Sequence, residues 1–590
     1  MTMYPFLKDN ITALETYNQA FHAWLSRSQF DAESLKTNVF VNQWGIIDWR
    51  MPSGSGIFES LPPLGLYTDW TKDLEKADTS ATIIIGCNLG YGLNHVLVNT
   101  PDSHKVIVVE PNPAVLLACL GQTDYRPFMK IKKLHFLPPV EAHLGEVVKN
   151  LDLQYIYGKI YLRADVPSRQ IGAEYAQWMT VVRQRLENFS VEMVTLRCRQ
   201  DVMVGNELKN FRRALSDGSL KGLEGAAAGV GAVVLGAGPS LAQHAAALAQ
   251  NPGYALYTSA LQTLPALQPY GLKPDFCLAL DYDESMLWVY NKLDPEFAKD
   301  IPLIYSTKVH PEVVRRYPGP TLPLWTMGGL ATFVMQDREF VLDAGGNVSV
   351  TLVRLLRWMG AGSVLLVGQD LAWKGESTHA SGHHAAGSAP AFDPQRHQRL
   401  QNLWGEEIIS SIQYLTSKRD MEDDIRKSDM RVRNLYGGGA IIEGAPAVTL
   451  QEAINDGCLS SAPGSKERLL ERMNASRTPC QNLRFEPRSH IWTSSLRHVE
   501  KRMQKFFRDY NAKQHEIHGL LEQALFFVKQ DPLYLPYLFN ETIDLAGLAQ
   551  TRRSYKPVDF NEFKRIGKSI LTKVREVDRC VSSPQESRPA

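Results

Sequence analysis

The sequence predicts an α/β protein: two Rossmann-like domains, N-terminal and central, followed by an α-helical C-terminal domain. Two β-branched apolar runs, Ala81-Thr-Ile-Ile-Ile85 and Ala232-Val-Val-Leu235, each lead directly into a glycine turn, as a buried parallel strand does when it hands over to a helix. At 590 residues the chain is too long for one hydrophobic core. Beyond about residue 450, strand-like runs give way to apolar spacings of three and four.

Residues 1–76 mix helical periodicity with turn-rich segments such as Met51-Pro-Ser-Gly-Ser-Gly56 and Leu61-Pro-Pro-Leu-Gly65, and read as an irregular N-terminal portion. Residues 77–221 form the first Rossmann-like domain: strand 81–85, glycine turn Gly86-Cys-Asn-Leu-Gly90-Tyr-Gly92, a helix, then the strand Val106-Ile-Val-Val109 ending on Glu110. Gly222-Leu-Glu-Gly-Ala-Ala-Ala-Gly-Val-Gly231 has the composition of a linker and opens a central domain over 222–450. Its strands are expected at 232–235, 254–257, 276–280, 303–305, 322–325 and 364–367, with a helix near 261–267. A further helix starts at Asn347 as N-cap, carries apolar residues at Val348, Leu352, Leu355, Leu356 and Met359, and stops at Gly360. The Gly/Ala/Ser/His-rich stretch 374–390 is far longer than an ordinary α/β connection and reads as a lid. Residues 451–590 form the helical domain, with one amphipathic helix over 496–528 and a disordered tail from residue 582.

Composition narrows the function. Hydrophobic residues at 44% and charged residues at 22% exclude wholesale disorder. Lys and Arg (64) balance Asp and Glu (63), so there is no chain-wide basic field to hold nucleic acid. The balance hides an asymmetry: residues 497–513 carry +4 and residues 552–575 carry +6 against a total of +1, leaving −9 for the remainder. Such a basic module suits a solvated helix face or a docking surface for an acidic protein, with Arg552, Arg553 and Lys556 in it. Seven scattered cysteines without a CxxC pair indicate neither a disulfide framework nor a thiolate zinc site, and fit a reducing cytoplasm. No leader and no apolar run of about 20 residues is present, so neither export by that route nor a membrane span is expected.

Two glycine turns are candidate ligand sites. Gly86, Gly90 and Gly92, with Glu110 eighteen residues on, resemble the nucleoside pocket of Rossmann-type methyltransferases, and plain strand-to-helix packing is the competing reading. Gly236-Ala-Gly-Pro-Ser-Leu241 lies between strand and helix, where free N–H groups and the positive helix end can meet a phosphate and Ser240 can add a hydroxyl. Pro239 suits the first turn of that helix, where no N–H is needed. Asn347 to Ser349 offers a second cluster of amides and hydroxyls. Asp281-Tyr-Asp283 has the Asp-x-Asp form that can hold Mg²⁺ on a diphosphate.

Gly236-Ala-Gly-Pro-Ser-Leu241, Lys273-Pro-Asp-Phe-Cys-Leu-Ala-Leu-Asp281, Gly345-Gly-Asn-Val-Ser349 and Val367-Gly-Gln-Asp-Leu-Ala-Trp373 followed by Thr378-His-Ala380 resemble the central domain of the motility-associated factor (Maf) family. The resemblance covers about residues 233–382 and extends to hydroxymethylpterin diphosphokinase and, more distantly, to bacterial sialyltransferases. It implies a cytoplasmic enzyme that transfers a pseudaminic- or legionaminic-type nonulosonic acid from a CMP-sugar to Ser or Thr of flagellin, with flagellin and the nucleotide-sugar as its partners. It also implies donor contacts at Gly236, Gly238, Pro239, Ser240, Ser259, Gln262, Asp281, Asn347 and Ser349. Ala237 and Thr258-Ser259-Ala260 depart from the pattern, standing where relatives carry Asn; Ser259 and Gln262 are the available polar substitutes.

For that chemistry a neutral histidine is the natural base, and His379 follows the Gly368-Gln-Asp370 strand end where relatives keep Thr-His. Asp370 could orient it or receive the sugar, and capping a neighbouring turn is the competing reading. The competing readings are that His379, His383 and His384 are only polar loop residues, or that His379 and His383 chelate adventitious zinc at i, i+4, with Glu376 as a further ligand only where it turns inward. No cofactor or metal is expected for a CMP donor; Mg²⁺ at Asp281 and Asp283 belongs to the diphosphokinase reading. A non-catalytic flagellin-binding factor is the third reading.

Overall fold

A computed structural model describes residues 4–582 except 29–34, 36, 61, 64, 336–337, 388, 480–484, 509–512 and 553. Cys480, Arg553 and the tail beyond residue 582 therefore lie outside the described residues. The chain forms two compact units: Met1–Cys198 with Val499–Phe526 and Asn540–Ile566, and Arg199–His498 with Phe527–Phe539 and Gly567–Ala590.

In the first unit, strands β1 (Val39–Val41) and β2 (Ile47–Trp49) form an antiparallel hairpin. Strands β3 (Ala81–Ile85), β4 (Lys105–Val109), β5 (Leu134–Leu137) and β6 (Ile160–Ala164) form a parallel sheet in the order β5-β4-β3-β6. Every residue of β3 is buried, the reason it reads as a continuous apolar run. Residues before 77 are regular at their start and turn-rich among the described residues of 50–68. Helices Leu7–Tyr17 and Gln19–Arg27 bury Leu14, Phe21 and Leu25 in the same core as Ile84, Val106, Val108 and Phe136. Asn10 clamps them by donating from Nδ2 to Leu120 O and Thr123 O, both at 2.7 Å.

The second unit holds a nine-stranded sheet, all parallel. Its strands are β7 (Gly231–Leu235), β8 (Leu256–Ala260), β9 (Phe276–Ala279), β10 (Leu303–Ser306), β11 (Thr321–Thr326), β12 (Val341–Leu342) and β13 (Ser363–Val367), with β16 (Arg431–Leu435) and β17 (Ala447–Val448). The antiparallel hairpin β14 (His397–Gln401) and β15 (Glu407–Ser411) lies between β13 and β16 in sequence. The spatial order is β12-β11-β10-β9-β8-β7-β13-β16-β17, so the chain builds outward from β7, then returns to its other side with β13. That reversal opens a crevice at the C-terminal ends of β7 and β13, where open α/β sheets bind ligands. The four-stranded sheet has the same reversal between β3 and β6.

The stretch 222–231 is packed chain rather than a linker. Leu223, Ala227 and Val230 are buried, and Ala227 N–H donates to Met359 O at 2.6 Å; its small residues permit that approach. The residues after 450 are helical, but they do not make a compact unit of their own, since the two units share them. The single helix read over 496–528 is two, Ser489–Arg508 and Gln514–Lys529. Part of the basic surplus is neutralised by partners: Arg552 pairs with Asp559, Arg565 with Glu562 and Asp544, and Lys573 with Asp201. The six described cysteines are free thiols. Among the described residues no helix is long and apolar enough to cross a membrane.

Candidate active site

A cavity of about 180 Å³ lies at the crevice between β7 and β13. The turn after β7 gives it Gly236 and Gly238, the segment after β8 gives Gln262 and Thr263, and the end of β13 gives Gln369 and Asp370. The start of helix Val348–Trp358 adds Asn347 and Ser349, the 374–390 stretch adds Thr378, His379 and His383, and helix Ile412–Arg426 adds Tyr414. Of the residues expected from sequence, Gly236, Gly238, Gln262, Asn347, Ser349, Asp370 and His379 thus meet at one place.

His379 is held at both ring nitrogens. Thr378 Oγ1 lies 2.9 Å from Nδ1 and Tyr414 OH lies 3.4 Å from Nε2. Burial, and secondarily His384, lowers its pKa below the ordinary histidine value, so it is neutral at physiological pH. Its ring stacks on His383 at 4.3 Å and 3°. His383 is pushed down to about 3 by burial, then by the neighbouring histidines and Lys292. The rings of His379 and His383 stack in parallel and Glu376 is exposed, so the described side chains do not gather three ligands around one point. The stretch carrying these histidines is tied down: Ala380 N–H donates to Ala237 O at 2.8 Å and Lys292 Nζ to His383 O at 3.1 Å.

The glycine turn differs from its expected role. Gly236 N–H donates to Val367 O, Gly238 N–H to Gly368 O and Leu241 N–H to Gly238 O. Ser240 N–H, at the start of helix Leu241–Gln250, donates to Asp370 Oδ2 at 2.8 Å. Asp370 therefore fills the anion position reserved for a phosphate, and does not orient His379. Burial raises its pKa, and its contact with Ser240 lowers it. The glycines are needed because a side-chain carbon on Gly236 would lie 2.3 Å from Gln369 Nε2, and one on Gly238 2.3 Å from Asp370 Oδ2. Pro239 and Ser240 do not line the cavity, and Ser240 is buried.

Ser259 is buried in β8, donates to the carbonyl of Ala260 and does not line the cavity. Asp281 and Asp283 lie outside the cavity lining; Asp281 Oδ1 accepts Asp283 N–H at 3.0 Å and Asp283 Oδ1 accepts Ser285 N–H at 2.9 Å, which turns the Asp-x-Asp pair into successive caps. No cluster of three or more metal-ligating side chains occurs among the described residues. Sequence reasoning missed Tyr414, which sits in the first turn of a helix with no motif around it, and Gln369. Gln369 is only 6% exposed, and its Nε2 is buried with no acceptor among the described residues. A buried amide left so costs about 1–3 kcal/mol unless water or a ligand satisfies it. Its place inside the Gly-Gln-Asp strand end was the available signal.

The first glycine turn is closed by the chain itself. A side-chain carbon on Gly86 would meet Ser168, one on Gly90 the Tyr125 hydroxyl, and one on Gly92 the ring of Tyr67. Glu110, 1% exposed, accepts from Cys87 N–H at 2.8 Å, Tyr175 OH at 2.5 Å and Asn112 N–H at 3.0 Å. Asp165, at the reversal between β3 and β6, accepts from Tyr67 OH and Asn88 Nδ2. The nucleoside pocket considered for Gly86, Gly90, Gly92 and Glu110 is therefore packed protein.

The family model for 6-hydroxymethylpterin diphosphokinase MptE-like proteins matches residues 205–376, which include both strand ends of the crevice and stop short of His379. Among solved structures, the chain is similar to the Maf glycosyltransferase from Magnetospirillum magneticum AMB-1, at 16% identity and a TM-score of 0.61, over 98% of this chain and 97% of that one. That likeness establishes a shared fold along nearly the whole chain. No curated protein sequence matches it.

Proposed function

We propose that the chain is a glycosyltransferase that moves a nonulosonic acid of the pseudaminic or legionaminic type from a CMP-activated donor to Ser or Thr of flagellin in the cytoplasm. The observation that carries this reading is His379, neutral and fixed at both nitrogens in a cavity that also receives a helix start. With Nδ1–H donating to Thr378, the acceptor hydroxyl displaces the 3.4 Å contact of Tyr414 OH at Nε2, which then takes its proton as the acceptor oxygen bonds the anomeric carbon. The bond from that carbon to the phosphate oxygen breaks, and CMP leaves with the electron pair. The negative charge on the departing phosphate is stabilised by the N-terminus of helix Val348–Trp358, with the Ser349 hydroxyl beside it. The Gly236–Ser240 turn serves this scheme mainly as a wall: the N–H groups of Gly236, Gly238 and Ser240 are occupied and Pro239 has none, while Ala237 lines the cavity. At about 180 Å³ the cavity is smaller than the 300–1,000 Å³ typical of whole-ligand sites, so it encloses the reacting end of the donor.

Incubation with flagellin and CMP-pseudaminic or CMP-legionaminic acid, followed by intact-mass measurement, tests the proposal; a nonulosonate mass added to flagellin is expected, and none with either donor overturns it. The family match over 205–376 favours one other reading, a Mg²⁺-dependent pterin diphosphokinase. Transfer to flagellin that is undiminished in EDTA would exclude it.

A further inference from the structure

Strand β6 is an edge: among the described residues it hydrogen-bonds β3 and no other strand. Two bonds fix the direction of its backbone. Ala81 N–H donates to Lys159 O and Asp165 N–H to Ile85 O, each at 2.9 Å. Backbone groups alternate between the two edges of a strand in a parallel ladder, so residues 159, 161, 163 and 165 face β3. Ile160, Leu162 and Ala164 turn their N–H and C=O groups to the other edge, where none of the described residues pairs with them. Proteins ordinarily shield such a row with a proline, a bulge or a covering element. This edge reads Ile-Tyr-Leu-Arg-Ala, all half-buried.

Beside Ile160 and Leu162 lies a cavity of about 680 Å³, bounded by Tyr155 and by Met179, Leu186 and Phe189 of helix Glu174–Asp217. Its charged lining is Lys159, Arg183 and Glu187. Lys159 is already paired with Glu75, which leaves exposed Arg183, one helical turn before exposed Glu187, as the cation turned to a partner. A row of unpaired amides and carbonyls at strand spacing is matched by another extended polypeptide and not by a sugar or a nucleotide.

We propose that β6 and this cavity take an extended segment of the acceptor polypeptide as an added strand, with alternate apolar side chains in the cavity and an acidic residue at Arg183. The proposal rests on the reading that the acceptor is a protein. It assigns the first unit, whose glycine turn is closed, the holding of acceptor chain.

Hydrogen exchange on the full-length protein tests it, with monomeric flagellin as probe and reduced, carboxymethylated α-lactalbumin as an unrelated extended chain. Without a probe, the amides of Ile160, Leu162 and Ala164 exchange fast while those of Tyr161 and Arg163 are protected. With flagellin, the three fast amides slow at least tenfold. Leu162→Pro removes an outward N–H without touching the β3 ladder, and Arg183→Glu reverses the cation; each should weaken flagellin binding about tenfold with unchanged melting. Flagellin glycosylated by the wild type with no slowing at these amides overturns the proposal and leaves the transfer reading standing. Slowing by the α-lactalbumin chain with no modification of flagellin supports strand addition and removes flagellin as acceptor. Slowing with neither probe overturns strand addition itself.

Discussion

The two glycine turns begin alike and end differently. Each follows a buried parallel strand, each lies at a reversal of strand order, and in each the first glycine's N–H is taken by the end of a neighbouring strand, Val109 for Gly86 and Val367 for Gly236. In the first, the space the glycines leave is filled by Ser168, Tyr125 and Tyr67. In the second, it is filled by Gln369 and Asp370, which then line an open cavity. A glycine turn records that something approaches the backbone closely. Whether that is a ligand or the chain itself is written elsewhere in the sequence, in residues such as Tyr67 or Asp370 that precede or follow by tens to more than a hundred positions.

The largest effect that would sharpen this contrast comes from the base. His379→Ala should lower the rate of transfer by about 10²–10⁴-fold, the range for a positioned general base, while CMP affinity by calorimetry stays within about threefold. Unchanged transfer would remove His379 from the chemistry and leave the second turn with no functional advantage over the first.

Glycine substitutions come next, because they ask what each turn is for. Gly90 has φ +94° and a side-chain carbon there meets the Tyr125 hydroxyl at 2.4 Å. Left-handed backbone costs about 1–2 kcal/mol for alanine and overpacking about 1–3 kcal/mol, so Gly90→Ala should lose about 2–5 kcal/mol of stability. Ligand binding by the surviving folded protein should not change. Gly238→Ala, at a negative φ, should cost only the overpacking but push Asp370 from the cavity wall and reduce transfer. If both variants lost stability and neither lost transfer, the second turn would be packing like the first.

Much of this was legible in the sequence and part was not, for identifiable reasons. The strands 81–85 and 232–235 announce themselves because both sheet faces are covered and the runs are apolar throughout. His379, Asn347 and Asp370 are legible as residues, yet the sequence leaves Asp370 open between orienting His379, receiving the sugar and capping a neighbouring turn, since the bond to Ser240 that decides for the cap spans 130 positions. The 44-residue helix Glu174–Asp217 was missed; its polar residues blur any single apolar stripe. Edge strand β6 was missed too, because its residues are only half-buried and interleave with Lys159 and Arg163.

Glu110 gives the third test, a pH dependence confined to the closed turn. Burial raises its pKa to about 7 from 4.5, against the lowering effect of Tyr175, Cys87 and Asn112. The folded state thus binds a proton that the unfolded state has released between those values, so stability falls as pH rises through that window. At 1.36 kcal/mol per unit the fall is about 3 kcal/mol. Denaturant midpoints between pH 4.5 and 7.5 should show a shallower decline for Glu110→Gln than for the wild type. Parallel curves would mean that Glu110 is not protonated in the fold and that the closed turn holds a charge.

The smallest effect separates two asparagines with one local role. Asn112 caps helix Pro113–Gln122, accepting from Ala114 N–H at 3.0 Å, and Asn347 caps helix Val348–Trp358, accepting from Ser349 N–H at 2.8 Å. Replacing either by alanine should cost about 1 kcal/mol, and aspartate should restore it, since a carboxylate caps as well and favours a helix start. The two should then part company. Asn112→Asp sits in packed protein and should leave transfer and CMP binding alone. Asn347→Asp puts a negative charge where the departing phosphate is proposed to lie, so it should keep the stability and weaken CMP several-fold. Calorimetric CMP affinity equal in the two aspartate variants would mean that the helix start at Asn347 faces no phosphate, and the leaving-group role would pass to another part of the cavity wall, with the buried Gln369 amide the next group to test.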